Sequence, residues 1–318
     1  MSGAHPRVSI IVPMRNAEAF IEATLKSVLL ENSVALEVLV INDQSTDLSL
    51  ERALALGDPR VRVIEGMGAG ISSAMNLGLA AASGNIVMRC DADDLYPVSR
   101  IQDQVAWLDA HEDYVAVCGG FSTLDGLGRP IAILATGEAE EEITEELNLG
   151  YTRTHFCSYA VRKSAIDNVG GFRPYFETAE DIDFQLRLAN FGRVMYQPQV
   201  AYQYRLHADS ITHTQSSVKR IFFESQAREF QHQRSRDGQD DLQRGNPPAI
   251  PAGAGGNSGH IAKQIGGMLL GSAWHAHQGG NKWQAVALGL RALMHMPFDL
   301  AVWRSVLALI GKSAKPLQ

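Results

Sequence analysis

The stretch MRCDADDLYP, residues 88–97, sets Asp91, Asp93 and Asp94 directly behind the apolar run Ile86 to Met88. Carboxylates repel one another and resist burial, so such a cluster at the end of a buried strand needs a positive partner or water. The residues leave two readings open: a divalent cation held by oxygen ligands, or a solvated turn. A second acidic group, in ETAEDIDFQLRLANFG, brings Glu180, Asp181 and Asp183 to the start of a helical pattern whose apolar side is Ile182, Leu186 and Ala189. A carboxylate in that place can take a proton as a general base. It can equally serve the helix itself, because Thr178 followed by Asp181 fits a capping box and acids complement a helix start. A third set, NDQSTD (Asn42 to Asp47), adds Asp43, beside an N-cap role for Ser45 or Thr46. YRLHADS adds Arg205 and His207, and TRTHFCS adds His155.

The elements that must position these residues alternate in the first third of the chain. Val8 to Val12, Leu36 to Ile41, Val61 to Ile64 and Asn85 to Cys90 read as buried strands. Between them run helical patterns: one capped by Asn16 with Ile21, Leu25, Val28 and Leu29 on its face, one through Leu50 and Leu54, one through Met75 and Leu79. That cadence predicts an α/β fold with a doubly wound, mostly parallel sheet flanked by helices, whose ligands bind beyond the carboxyl ends of the strands. Both Asp43 and the Asp91 cluster then fall on the ligand edge.

Further along, YVAVCGG reads as another strand, and the acidic GEAEEEITEEL (Gly137 to Leu147) as a solvated helix face. Arg234 to His260, rich in Gly, Pro, Asn and Asp, reads as a linker or loop. The expected organisation is a main domain over 1–220, a helix and flexible linker over 221–260, and a helical C-terminal region over 261–318. That last region contains Trp274, Trp283 and Trp303, and from Ile261 onward six Lys/Arg face a single acid, Asp299. It reads either as a helical packing layer or as an amphipathic attachment to an anionic membrane surface.

Composition bounds the rest. With 318 residues, 45% hydrophobic and 20% charged, the chain has the material for one large α/β domain and an appendage. A net charge of -7 argues against a general nucleic-acid binder. Three scattered cysteines, Cys90, Cys118 and Cys157, suggest neither a disulfide framework nor a zinc site and suit a reducing cytoplasm. No apolar run reaches a spanning helix, so the expected location is cytoplasmic, with the inner face of the membrane as a place of attachment.

Taken in order, VSIIVPMRNAEAFIEATLKSVL, VLVINDQSTD, GISSAMNLGLAAASGNIVMRCDADD, GGFRPYFETAEDIDFQLRL and YRLHADSIT resemble the motifs of the family 2 inverting glycosyltransferases with the GT-A fold, from Val8 to Thr212. The resemblance implies a nucleotide-diphosphate-sugar donor, a divalent cation (Mn²⁺ or Mg²⁺), and a glycan or lipid-linked acceptor in cell-surface polysaccharide biosynthesis. It places Asp93 as the direct metal ligand, with Asp91 nearer the donor ribose or the metal's water shell, and Asp94 ordering the turn. It gives Asp181 the role of base, with Glu180 orienting the acceptor or holding the loop. Asp43 would contact the nucleobase, Pro13 would start the loop beneath it, Asn76 and Arg205 would contact the donor, and His207 would approach the metal. Where the family carries an arginine for phosphate, this chain has Met75, and Arg89 stands near enough in sequence either to compensate or to neutralise the acids. Asn42 and Gln44 also depart from the family's usual Asp and Gly.

Two rival enzymes fit less well. VRVIEGMGAGISSA offers a glycine turn between strand and helix, but the third glycine of a dinucleotide fingerprint is Ile71 or Ser73 in the two registers. A phosphoryl-transfer enzyme would want its nucleophilic Asp after an early strand. The remaining alternative is a non-catalytic nucleotide-sugar or carbohydrate-binding protein of the same fold.

Overall fold

The computed structural model describes residues 6–207, 217–252 and 260–314, and within them the chain forms two units. The first takes residues 6–121, 135–204 and 217–252; the second takes 122–134, 205–207 and 260–314.

The first unit begins with β1 (Val8–Met14), α1 (Ile21–Leu29), β2 (Leu36–Asn42), α2 (Ser49–Ala55), β3 (Val61–Glu65), α3 (Ile71–Ala81) and β4 (Ile86–Arg89). β1 pairs in parallel with both β2 and β4, and β2 with β3. Successive side chains of β1 therefore serve opposite faces. Val8, Ile10, Val12 and Met14 pack with Ile21, Leu25 and Val28 of α1, while Ile11 joins Ala74 and Met75 of α3 in a separate core. Burial on both faces explains why these strands are continuously apolar. α1 is a helix because Ile21, Thr24, Leu25 and Val28 repeat at i, i+3, i+4 and i+7 and all four are buried.

After β4 come α4 (Arg100–Ala110), β5 (Tyr114–Asp125), β6 (Pro130–Leu134), β7 (Glu141–Glu142), α5 (Thr144–Asn148), a 3₁₀ turn (Phe156–Ser158), β8 (Ala160–Arg162), α6 (Lys163–Val169), α7 (Glu180–Leu188), β9 (Arg193–Leu206) and α8 (Ser217–Asp237). The sheet runs β3-β2-β1-β4-β8-β5-β9-β7, with β8 antiparallel to β4 and β5, and β7 antiparallel to β9. The α/β class stands, with an antiparallel portion added beyond β4. Strand order reverses between β1 and β4, which is where a doubly wound sheet opens its crevice.

Several local expectations change. Asn16 does not cap α1; that helix starts from Phe20 without a side-chain cap, and Asn16 instead accepts from Thr46 N at 2.8 Å. The acidic Gly137 to Leu147 stretch is part strand and part helix. Ile143 and Leu147 are wholly buried, and Glu141 and Glu146 both pair with Arg153. Arg234 to Asp237 continue α8, and Asp240 just beyond it is fully buried between Arg173 (2.7 Å) and Arg234 (2.5 Å). The chain through residue 252 thus stays with the first unit. A buried, doubly paired carboxylate is a firm anchor, because losing one partner would strand a charge away from water.

The second unit holds the end of β5, β6, and three helices: α9 (His260–Gln278), α10 (Lys282–His295) and α11 (Leu300–Gly311). Ala273, Ala285 and Leu309 form its small core, backed by Trp274, Val286 and Leu288. No helix among the described residues is long and apolar enough to cross a membrane.

Candidate active site

The acidic turn after β4 is held from beneath by tyrosines. The Tyr202 hydroxyl donates to Asp94 Oδ2 at 2.7 Å and accepts from Asp91 N at 3.0 Å. Asp94 is fully buried by this arrangement, in keeping with a turn-ordering role. Tyr96 donates to the Arg89 carbonyl at 2.8 Å, and the Arg100 guanidinium lies 3.9 Å from the Tyr96 ring centre while reaching the Cys157 carbonyl at 2.5 Å. Asp91 and Asp93 are left partly exposed on top of this support.

Asp91 is not free of partners within the protein. Arg89 grips it through Nε at 2.6 Å and Nη2 at 3.2 Å, and the same guanidinium sends Nη1 to Glu180 Oε1 at 3.0 Å. Arg89 and Glu180 are both buried. Burial alone would lower the Arg89 pKa, but Asp91 foremost and Glu180 hold it well above its ordinary value. Burial pushes Glu180 up to about 7; Arg89 opposes that rise and the neighbouring Asp181 adds to it. Of the two sequence readings for Arg89, the geometry supports neutralisation: the side chain ties the acidic end of β4 to the acidic start of α7.

α7 does not begin with a capping box. Its N-cap is Ala179, in the left-handed conformation at φ +60°, with no side-chain cap, and Asp181 Oδ1 accepts from the adjacent Ile182 N at 2.9 Å. The Thr178 capping box is therefore absent, while Glu180, Asp181 and Asp183 still stand in the first turn, where acids complement a helix start. Asp183, in the same first turn, is fully buried against Arg173 and Arg187, and its role is structural. Cys157 lies between the two acidic groups. Its thiol is pushed well up by burial and by Asp91, with smaller contributions from Asp94 and Asp181. Among the described residues only Asn16, Gln44, Ser99 and Ala179 are non-glycines with positive φ. Asn16 and Gln44 follow β1 and β2, Ser99 precedes α4, and Ala179 precedes Glu180.

Asp43 follows β2 as expected and is buried. Its Oδ1 accepts from Gly68 N at 2.7 Å and its Oδ2 from Gly70 N at 3.2 Å. Gly68 and Gly70 have φ of +71° and +86°, and a Cβ on Gly66 would lie 2.8 Å from Asp43 Oδ1. The glycine turn that fails as a dinucleotide fingerprint thus exists to wrap this carboxylate, a contact that sequence reasoning missed. Pro13 is buried within β1. Asn76 spends its amide on structure: Nδ2 donates to Phe172 O and Oδ1 accepts from Phe172 N, both at 2.8 Å. Met75, where the family's arginine would stand, is in the core. His155 is exposed and stacks on Tyr204 at 5.6 Å between ring centres. Arg205 and His207 belong to the second unit, where Arg205 Nη1 donates to Gly126 O at 3.4 Å. Residues 208–212, the remainder of that motif, lie outside the described residues.

Among the described residues no three His, Cys, Asp or Glu side chains gather as a metal cage. A small hard cation does not require one. Mg²⁺ commonly takes one or two carboxylates and completes its shell with substrate phosphates and water. Asp91 and Asp93, oxygen donors on the crevice edge, suit that mode.

The sequence model described as Glycosyl transferase family 2 matches residues 9–170, which include both acidic strand ends but stop before Glu180. The hyaluronan synthase of Pasteurella multocida is 28% identical over 219 residues, covering 68% of this chain and 22% of that protein. The chain spans about a fifth of that synthase and of the P. multocida chondroitin synthase, which is 28% identical over 208 residues, 64% of this chain and 21% of that protein. A putative glycosyltransferase EpsE of Bacillus subtilis is 30% identical over 213 residues, covering 64% of this chain and 74% of the relative. Among solved structures, Staphylococcus aureus TarS 1-349 in complex with UDP-GlcNAc superposes with a TM-score of 0.62 at 17% identity, covering 95% of this chain and 84% of that one. The mannosyltransferase PcManGT from Pyrobaculum calidifontis, in complex with GDP-Man and Mn²⁺, gives 0.53 at 19% identity over 97% and 86% of the two chains. Those structures share the GT-A fold with this one, and with the family match over half its length the chain belongs to glycosyl transferase family 2.

Proposed function

We propose that this protein is an inverting, metal-dependent glycosyltransferase that moves a sugar from a nucleotide-diphosphate donor to a hydroxyl of a glycan or lipid-linked acceptor, in the building of a cell-surface polysaccharide on the cytoplasmic side. The observation that carries the reading is the convergence of two acidic groups through Arg89: Asp91 at the end of β4 and Glu180 at the start of α7. The UDP-GlcNAc and GDP-Man named for two proteins of the same fold support the donor class, and the two synthases support a glycan acceptor.

In this reading Asp93 and Asp91 would hold Mn²⁺ or Mg²⁺, which when bound would supply Lewis-acid stabilisation of the charge that grows on the departing nucleoside diphosphate. Asp181, partly exposed beside buried Glu180, accepts the proton of the acceptor hydroxyl. The hydroxyl oxygen bonds to the anomeric carbon as the bond to the β-phosphate oxygen breaks on the opposite side, so the anomeric configuration inverts. Glu180, fixed by Arg89, positions the start of α7 so that Asp181 faces the acceptor. Asp43 shapes the loop beneath the nucleobase by holding Gly68 and Gly70.

The test uses water as acceptor. UDP-, GDP- and dTDP-sugars are incubated with the protein and Mn²⁺, and proton NMR follows the anomer first released. Inversion relative to the donor supports the proposal; retention, or no metal-stimulated release from any donor, overturns it.

A further inference from the structure

Two helices of the second unit are apolar on both sides. On α10 the buried side is Ala285, Gly289, Ala292 and Leu293, and on α11 it is Val302, Val306 and Leu309. The opposite side of α10 presents Trp283, Leu290 and Met294, exposed to 87%, 50% and 64%. That of α11 presents Leu300, Leu307 and Ile310, exposed to 71%, 62% and 47%, and Phe298 in the turn between them is 96% exposed. A surface helix of a globular protein ordinarily turns polar residues outward. Here the outward stripe is the apolar one, and so large an uncovered apolar surface marks an interaction site.

We infer that α10, α11 and the turn joining them form a docking face for an anionic lipid surface. Charge selects the occupant. Lys282 and Arg304 are exposed on these helices, and Lys312, exposed just past α11, holds its ammonium 5.8 Å from the Trp274 ring centre. The one acid in the segment, Asp299, is spent as the N-cap of α11, accepting from Ala301 N at 2.8 Å. A second copy of the chain meeting this face would bring together two surfaces of the same positive sign, with no free acid in the segment to offset them. Anionic headgroups would instead pair with them while the aromatic and aliphatic side chains enter the acyl boundary.

The turn is also prepared for a low dielectric, where unpaired backbone groups are costly. Trp303 Nε1 donates to the Pro297 carbonyl at 2.8 Å, Asp299 N donates to Met296 O at 3.2 Å, and Met296 N to Ala292 O at 3.0 Å. Helices of 14 and 12 residues are too short to span a bilayer and suit lying along it.

The test is sedimentation of the full chain with vesicles of pure phosphatidylcholine and of phosphatidylcholine mixed with phosphatidylglycerol. The expected result is binding to the mixed vesicles, weakened by salt, and little binding to the neutral ones. The triple variant K282Q/R304Q/K312Q should lose on the order of 100-fold in affinity, since each basic residue near such a surface is worth about fivefold. The variant F298S/L307S should lose about tenfold or more through reduced apolar burial. Unchanged helical circular dichroism of both variants shows that the fold survives. Absence of vesicle binding by the parent chain, or unaltered binding by both variants, overturns the inference. So does a dimer by light scattering that F298S/L307S dissociates without any vesicle binding by the parent.

Discussion

The Arg89 guanidinium stands 3.0 Å from Glu180 Oε1 and 2.6 Å from Asp91 Oδ1, so one buried cation joins two acidic groups far apart in the sequence. Carboxylates at a strand end and at a helix start would otherwise repel across the crevice. With Arg89 between them, the donor side and the acceptor side of the proposed reaction are held by a single side chain.

Replacing Arg89 by Met leaves Glu180 buried without its counter-charge. Removing one partner of a buried pair typically destabilises by about 3–5 kcal/mol. The expected result is a drop of that size in a urea unfolding experiment, with part of it recovered in the double variant Arg89→Met/Glu180→Gln. Arg89→Lys should recover less of the activity than of the stability, because an ammonium cannot bond both carboxylates in the planar geometry of the guanidinium.

Glu180 carries a pH dependence whose sign follows from its shift. Its usual pKa is 4.5 and burial pushes it up to about 7, so the folded state binds the proton more tightly than the unfolded state does. Stability should therefore fall as pH rises from 4.5 through 7, and level off above. Urea midpoints measured across that window should show the slope in the parent protein and a flatter profile in Glu180→Gln.

Asp181 is the proposed base. Asp181→Asn should lower the transfer rate about 100- to 10,000-fold, the usual worth of a positioned general base, while nucleotide affinity stays unchanged in a calorimetric titration. A parallel loss of affinity would place Asp181 in donor binding instead.

Tyr202→Phe removes the hydroxyl that joins Asp94 Oδ2 to Asp91 N. Leaving a buried carboxylate short of a donor costs about 1–3 kcal/mol. The expected outcome is a folded protein with a lowered unfolding midpoint and weaker metal-dependent nucleotide binding, because the turn carrying Asp93 loses its support.

The strands and the position of the acidic turn were legible in the sequence because burial on both faces leaves unbroken apolar runs, and Asp91 to Asp94 follow one directly. Contacts between distant residues were not. Nothing near Asp43 announces that Gly68 and Gly70 will close on it, nor that Asn76 will clamp Phe172. The Thr178 to Asp181 spacing suggested a cap, but Ala179 turns left-handed and redirects the chain before Glu180. Gln239 to Gln243 read as a linker or loop and do form a loop, but composition gave no sign that Asp240 within it is a buried ionic anchor. The outward apolar stripes of α10 and α11 required knowing which side of each helix was already covered.

The most direct test of the site is a calorimetric titration of the purified protein with UDP, GDP and dTDP, each with and without Mn²⁺, repeated on Asp93→Ala. One nucleotide is expected to bind with a strong dependence on Mn²⁺, and that dependence is expected to vanish in Asp93→Ala. Binding of no nucleotide under any condition would contradict it and favour a non-catalytic carbohydrate-binding role, and metal-independent binding untouched by Asp93→Ala would contradict the metal assignment at its centre.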